Sequence, residues 1–210
     1  MDDIGQSVES GDGSSLPDFT SPQHCASSLQ SYTSSRLVVP KRTLMVLCGI
    51  AGSGKSTFAR NLVNTHKEKG LRATSIVSSD ECRSLVCDDD NNQQVNRDAF
   101  DLFYYIIHKR MFQSRFTIAD STALQADSRH RLLELAQRHH YHTCLLVFNT
   151  PPATSIQRDR ARIRIVGEQI ILYHERLLQQ ALLAIPNEGW QQIRILDEQA
   201  PPLTVEIDGN

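Results

Sequence analysis

"GIAGSGKST", Gly49 to Thr57, is the stretch that decides the fold. Gly49, Gly54, Lys55 and Ser56 satisfy the pattern G-x-x-x-x-G-K-[ST]. The glycines, Gly52 among them, let backbone N–H groups turn inward onto phosphates. The pattern requires a strand before it and a helix after it. "TLMVLC" (Thr43–Cys48) is an apolar run suited to a buried strand. "KSTFARNLVNTHKEKG" sets Phe58, Ala59, Leu62 and Val63 on one helical face and stops at Gly70. A helix that starts here points its partly positive amino end at a bound anion. The expected nucleotide site is therefore Gly49, Gly52, Ser53, Gly54, Lys55, Ser56 and Thr57. Lys55 is placed to reach the β- and γ-phosphates of ATP or another NTP, and the Ser56 hydroxyl to complete Mg²⁺ coordination. The competing reading is a glycine-rich turn with a capping serine.

Outward from the loop, strands and helices alternate. "ATSIVSSD" (Ala73–Asp80), "RFTIAD" (Arg115–Asp120), "TCLLVFN" (Thr143–Asn149) and "IRIL" (Ile193–Leu196) read as further strands. "AFDLFYYIIHKRMF" repeats Phe100, Phe103, Tyr104, Ile107 and Met111 at helical spacing, a core stripe. "SRHRLLELAQRHH", "IQRDRARIR" and "GEQIILYHERLLQQALL" also read as helical. This order predicts an α/β fold, a parallel sheet covered by helices on both faces. Residues 1–36 are expected to be a disordered Ser-rich tail, because ten serines stand among the first 35 residues with few large apolar side chains. The domain is expected to occupy 37–210.

The 210 residues carry a net charge of −2, which argues against a broad basic surface for long nucleic acid but not against a local basic site. The five cysteines are odd in number and fit no disulfide framework. No apolar run approaches the ~20 residues of a membrane span, and the amino terminus has neither a basic nor an apolar leader segment. These features predict a cytoplasmic protein with reduced thiols and no membrane partner.

Several residues outside the loop are candidates for the acceptor side. Ligands of parallel α/β sheets bind at the carboxyl ends of the strands, and Asp80 ends the second strand in "VSSDECR". Its carboxylate is suited to take the proton of an attacking hydroxyl, or else to cap the next helix. Arg83, one helical turn on, is suited to grip an anionic acceptor group, or else to be a surface arginine paired with an Asp or Glu. Asp120 ends the third strand, the position of a carboxylate next to Mg²⁺ in phosphate-loop proteins, although strands also end in Asp at plain turns. In "QRDRARIR", Arg158 and Arg162 share one helical face and Arg160 and Arg164 another. One pair is suited to close over the triphosphate as a lid; the alternative is a solvated charged helix. "RHHYH" (Arg138–His142) gathers three histidines without a partner at metal-ligand spacing.

Taken together, "GIAGSGKST", "VSSDECRSLVCDDDNNQ", "DST", "VFN" and the Arg-x-x-x-Arg pair resemble the kinase module of the bacterial RNA end-healing polynucleotide kinase–phosphatases. The likeness runs from about Leu44 to Leu196, and the stretch around Asp80 is its most specific part. It implies an adenylate-kinase-like P-loop fold with a helical lid. It further implies transfer of the γ-phosphate of an NTP, with Mg²⁺, to the 5′-hydroxyl of an RNA or DNA end. By the same resemblance Lys55 and Ser56 hold nucleotide and metal, and Asp80 is the general base. Arg83 holds a phosphate of the acceptor, and Arg158 and Arg162 are lid arginines. The family's "DATN" reads "DSTA" here, Asp120 to Ala123, so an amide is missing. A kinase of a small-molecule hydroxyl and a non-catalytic ATP-binding module are the alternatives.

Overall fold

The structure is a computed structural model that describes residues 35–90, 92–161, 165–199 and 201–208. Strand β1 (Arg36–Pro40) leads into β2 (Thr43–Gly49), and helix α1 (Lys55–Thr65) follows the glycine loop. Then come β3 (Ile76–Ser78), α2 (Ser79–Cys87), α3 (Asn96–Phe112), β4 (Thr117–Asp120), α4 (Ala126–Arg138) and β5 (His142–Asn149). Helices α5 (Pro152–Arg160) and α6 (Glu168–Ala184) and strands β6 (Gln192–Asp197) and β7 (Thr204–Asp208) complete the domain.

Five strands form one parallel sheet in the order β3-β4-β2-β5-β6. Every residue of β2 is buried, which the uninterrupted apolar run requires of a strand covered on both faces. Successive side chains take opposite faces. Leu44, Val46 and Cys48 join Phe103 and Ile107 of α3, Leu132 of α4 and Ile171 and Leu178 of α6. Met45 and Leu47 join Ala59, Leu62 and Val63 of α1.

On that second face the expected cover of helices is incomplete. A two-stranded parallel ribbon, β1 against β7, lies beside α1 with Arg36 opposite Thr204 and Pro40 opposite Asp208. Both strands alternate buried and exposed positions. Leu37, Val39, Val205 and Ile207 reach the core while Arg36 and Glu206 pair outside at 2.7 Å.

Two predicted elements shrink. The second strand is only Ile76–Ser78, preceded by a 3₁₀ turn at Ala73–Ser75. Its predicted end, Asp80, lies instead in the first turn of α2. The Ser78 hydroxyl accepts the Glu81 N–H and starts a helix there, as a serine at a helix N-cap does. The helix read into the arginine run ends at Arg160. Arg162 and Arg164 lie outside the described residues, as does most of the Ser-rich tail, residues 1–34.

Candidate active site

The glycine loop closes the end of β2 through backbone conformations that only glycine takes at low cost. Gly52 (φ +81°) lies so close to α5 that a Cβ would stand 2.5 Å from the Ser155 carbonyl oxygen. Gly54 (φ +97°) faces open space, which leaves its backbone approachable by a ligand. The Thr150 hydroxyl donates to the Ser53 carbonyl at 3.2 Å, so the segment after β5 braces the loop from the far side. Gly52→Ala therefore meets both a clash and a strained φ. We expect a loss of roughly 1–3 kcal/mol of stability together with weakened ATP binding, read by thermal melting and fluorescent-nucleotide titration.

Lys55 is buried, and its ammonium donates to the carbonyls of Gly49 at 2.9 Å and Ile50 at 2.7 Å and to Ser53 Oγ at 3.3 Å. The charge is thus held inside the loop, where a ligand phosphate would draw it along its flexible stem. His174 of α6 is partly buried near the same charge. Burial first, and then the Lys55 ammonium, hold its pKa below the ordinary imidazole value. Its Nδ1 is buried without a hydrogen-bond partner among the described residues.

Three neighbouring strands bring the other predicted groups to this edge. Asp120, at the end of β4, pairs in register with Leu47 of β2 on one side and Ser78 of β3 on the other. It is buried, and the Ser56 hydroxyl hydrogen-bonds its carboxylate. Burial raises its pKa, the Ser56 bond and Lys55 oppose that, and the Asp80 charge adds to it. A buried carboxylate bonded to the loop serine fits an Mg²⁺ ion. That ion takes one or two protein ligands and fills the rest of its octahedron with water and phosphate oxygens.

Asp80 stands on the α2 turn beside this group, with 55% of its side chain exposed. It is oriented by Arg83, whose Nη1 donates to Asp80 Oδ1 at 2.7 Å. Arg83 pairs with an Asp, as one of its two readings expected, but it does so away from the surface. Neither a surface residue nor an open grip for an acceptor, its side chain is only 5% exposed. The same guanidinium donates to the Asp90 carbonyl at 3.1 Å and to Asn96 Oδ1 at 2.8 Å. It ties α2, the following loop and α3 together while fixing one carboxylate oxygen of Asp80. A planar fork of donors is what allows one side chain to do both.

Arg158, near the end of α5, is half-exposed and pairs with Glu198 beyond β6 at 3.4 Å. The sequence reading missed its neighbour Asp159. This carboxylate is buried and accepts the backbone N–H groups of Val166, at 3.1 and 3.0 Å, and Gly167, at 3.0 Å. It thereby ties the end of α5 to the start of α6. A lone acid inside a basic run was the available signal.

Arg129 was missed as well. It donates to the carbonyls of Ala123 at 2.9 Å and Leu124 at 2.8 Å and forks onto the buried Glu188, which also accepts the Trp190 indole N–H at 3.0 Å. Arg129 thus fixes the turn that follows Asp120. Ala123 has φ +47°, a left-handed conformation that Asn tolerates and that costs alanine about 1 kcal/mol.

A family model described as an AAA domain matches residues 44–181. The chain belongs to this family. No curated protein matches this chain in sequence. Among solved structures, a chain of the Pnkp1/Rnl/Hen1 RNA repair complex is similar at 20% identity with a TM-score of 0.58, over 69% of this chain and 46% of that one. The AvrRxo1-ORF1:-ORF2 complex with ATP is similar at 14% identity and a TM-score of 0.56, over 75% and 55%. The PezAT toxin–antitoxin system of Streptococcus pneumoniae gives 18% identity and a TM-score of 0.51, over 90% and 83%. The chain thus spans about half the length of the first two. Its parallel sheet with flanking helices is the P-loop kinase-like fold shared with these proteins. Among the described residues no helix is long and apolar enough to cross a membrane.

Proposed function

We propose that the chain is an NTP-dependent phosphotransferase that moves the γ-phosphate of ATP to a hydroxyl, with a polynucleotide 5′-hydroxyl end as the acceptor. One observation carries this: the loop with Lys55 and Ser56, the carboxylate of Asp120 and the carboxylate of Asp80 stand side by side along the carboxyl edge of β2, β4 and β3. In this reading Asp80 takes the proton of the acceptor hydroxyl as its oxygen bonds to the γ-phosphorus. The bond from that phosphorus to the β,γ-bridging oxygen breaks, and ADP leaves. Lys55 and the loop N–H groups hold the phosphates in line, and Arg158, with Arg162, covers them. Ser56 and Asp120 would hold Mg²⁺, which when bound neutralises phosphate charge. Positioning and charge stabilisation supply most of the rate in such reactions.

The polynucleotide acceptor is supported by the motif order around Asp80 and by the fold shared with the RNA repair complex. The Arg83 geometry favours a second reading, a small-molecule hydroxyl as acceptor. The residue expected to take a phosphate of the acceptor is buried against Asp80 and Asn96. The test is γ-labelled ATP with Mg²⁺ against 5′-hydroxyl RNA, 5′-hydroxyl DNA, a 3′-mononucleotide and a metabolite mixture. Label on the oligonucleotides supports the first reading, and label on a metabolite alone supports the second. ATP binding without label on any acceptor overturns both and leaves a nucleotide-binding module.

A further inference from the structure

The Arg138–His142 run takes no part in the phosphate site. It lies at the opposite, amino edge of the sheet, where β2, β5 and β6 begin. β2 rises roughly 20 Å from there to the glycine loop. At this edge opens a cavity of about 700 Å³, lined among others by Arg42, His140, Tyr141, His142, Thr143 and Gln191. Its volume is in the range of small-molecule sites.

The lining is one-sided in charge. Among the described residues it contains an arginine and two histidines but no Asp or Glu. Two neighbouring carboxylates are engaged elsewhere: Glu134 with Arg138 at 3.6 Å, and Glu188 in its buried pair with Arg129. The surroundings are cationic too, since His108, Arg42, Arg138 and His140 all act on His139 to disfavour its protonated form, after burial. Arg110 and Arg115 stand near Tyr141.

The donors are held in place. Arg42 donates to the His139 carbonyl at 2.8 Å, bonds the Tyr141 hydroxyl and lies over the Tyr141 ring at 5.3 Å. A guanidinium has five N–H donors, so others remain for a ligand. The Arg42 carbonyl accepts the His142 N–H at 2.9 Å, which sets the histidine beside it. His142 Nε2 is buried without a partner among the described residues. A rigid arginine next to two imidazoles, with no competing acid in the wall, suits an oxyanion with several acceptor oxygens.

We propose that this cavity is a second anion site, which takes a phosphate-bearing small molecule and holds its phosphate between Arg42, His140 and His142. The site is separate from the glycine loop and does not rest on the phosphotransfer reading.

The experiment is a titration of the full chain with inorganic phosphate and, separately, with AMP, read by imidazole NMR. Both are run on wild type and on Lys55→Ala, which disables the loop. Saturable shifts of His140 and His142 that persist in Lys55→Ala are expected. Arg42→Gln should weaken them about tenfold or more, roughly the loss of one charged hydrogen bond. Arg42→Lys, which keeps the charge but not the fork, should fall between and guards against a folding defect in the glutamine variant. Tighter binding of AMP than of phosphate identifies the ligand as a nucleotide, and equal binding identifies it as phosphate itself. The proposal is overturned if the shifts vanish in Lys55→Ala, if they are indifferent to Arg42 in a folded variant, or if none saturates by about 10 mM, well above a millimolar Kd.

Discussion

Asp80→Asn is expected to lower phosphoryl transfer by about 10²–10⁴-fold, the range of a lost general base, while ATP binding stays close to wild type. The reasons are geometric. The carboxylate stands outside the glycine loop, on the first turn of α2, and one of its oxygens accepts from Arg83. Asparagine keeps the size and can still accept the Arg83 N–H, but it cannot take a proton from a hydroxyl. Single-turnover transfer and nucleotide titration on the same preparation separate the two effects. Transfer at the wild-type rate would remove Asp80 from the chemistry and leave it as a helix-end residue facing solvent.

Arg129→Leu should produce the largest loss of stability of any single change considered. It strands Glu188, a carboxylate 5% exposed, and two backbone carbonyls. Breaking a buried pair from one side costs about 3–5 kcal/mol, a large part of the 5–15 kcal/mol that holds a typical domain. The double variant Arg129→Leu/Glu188→Leu should recover much of that loss, because no uncompensated charge remains. Urea melts of both variants check this. A double variant no better than the single one would mean that the carbonyls of Ala123 and Leu124, not the stranded charge, are what matters. Since those carbonyls belong to the turn behind Asp120, transfer should also fall in whatever fraction of the single variant stays folded.

Much of this arrangement is legible in the residues. The glycine loop announces itself because phosphate contact demands backbone conformations that few other sequences supply. β2 is legible because a strand buried on both faces must be apolar throughout. α3 is legible because Phe103, Tyr104, Ile107 and Met111 repeat at the helical period. Short edges are harder. "RLVVP" and "TVEID" alternate, but five residues carry little periodic signal, and what makes them strands is each other, 170 positions apart at the Arg36–Glu206 pair. The extent of β3 was over-read because Ser78 can end a strand or cap a helix, and its hydroxyl decides the matter by accepting the Glu81 N–H. Arg83 shows a further limit. Its spacing from Asp80 was plain, but whether it faces outward or folds onto that carboxylate depends on Asn96, thirteen residues away on another helix.

The ribbon at the edge of the domain has a mechanical consequence. β1 and β7 run in the same direction, with Arg36 beside Thr204 and Pro40 beside Asp208. A pull applied at residue 35 and resisted at residue 208 therefore slides one strand along the other and loads all of their cross-strand bonds together. It cannot unzip them one at a time. An unfolding machine that tugs on either terminus meets a shear clamp before it reaches the nucleotide loop.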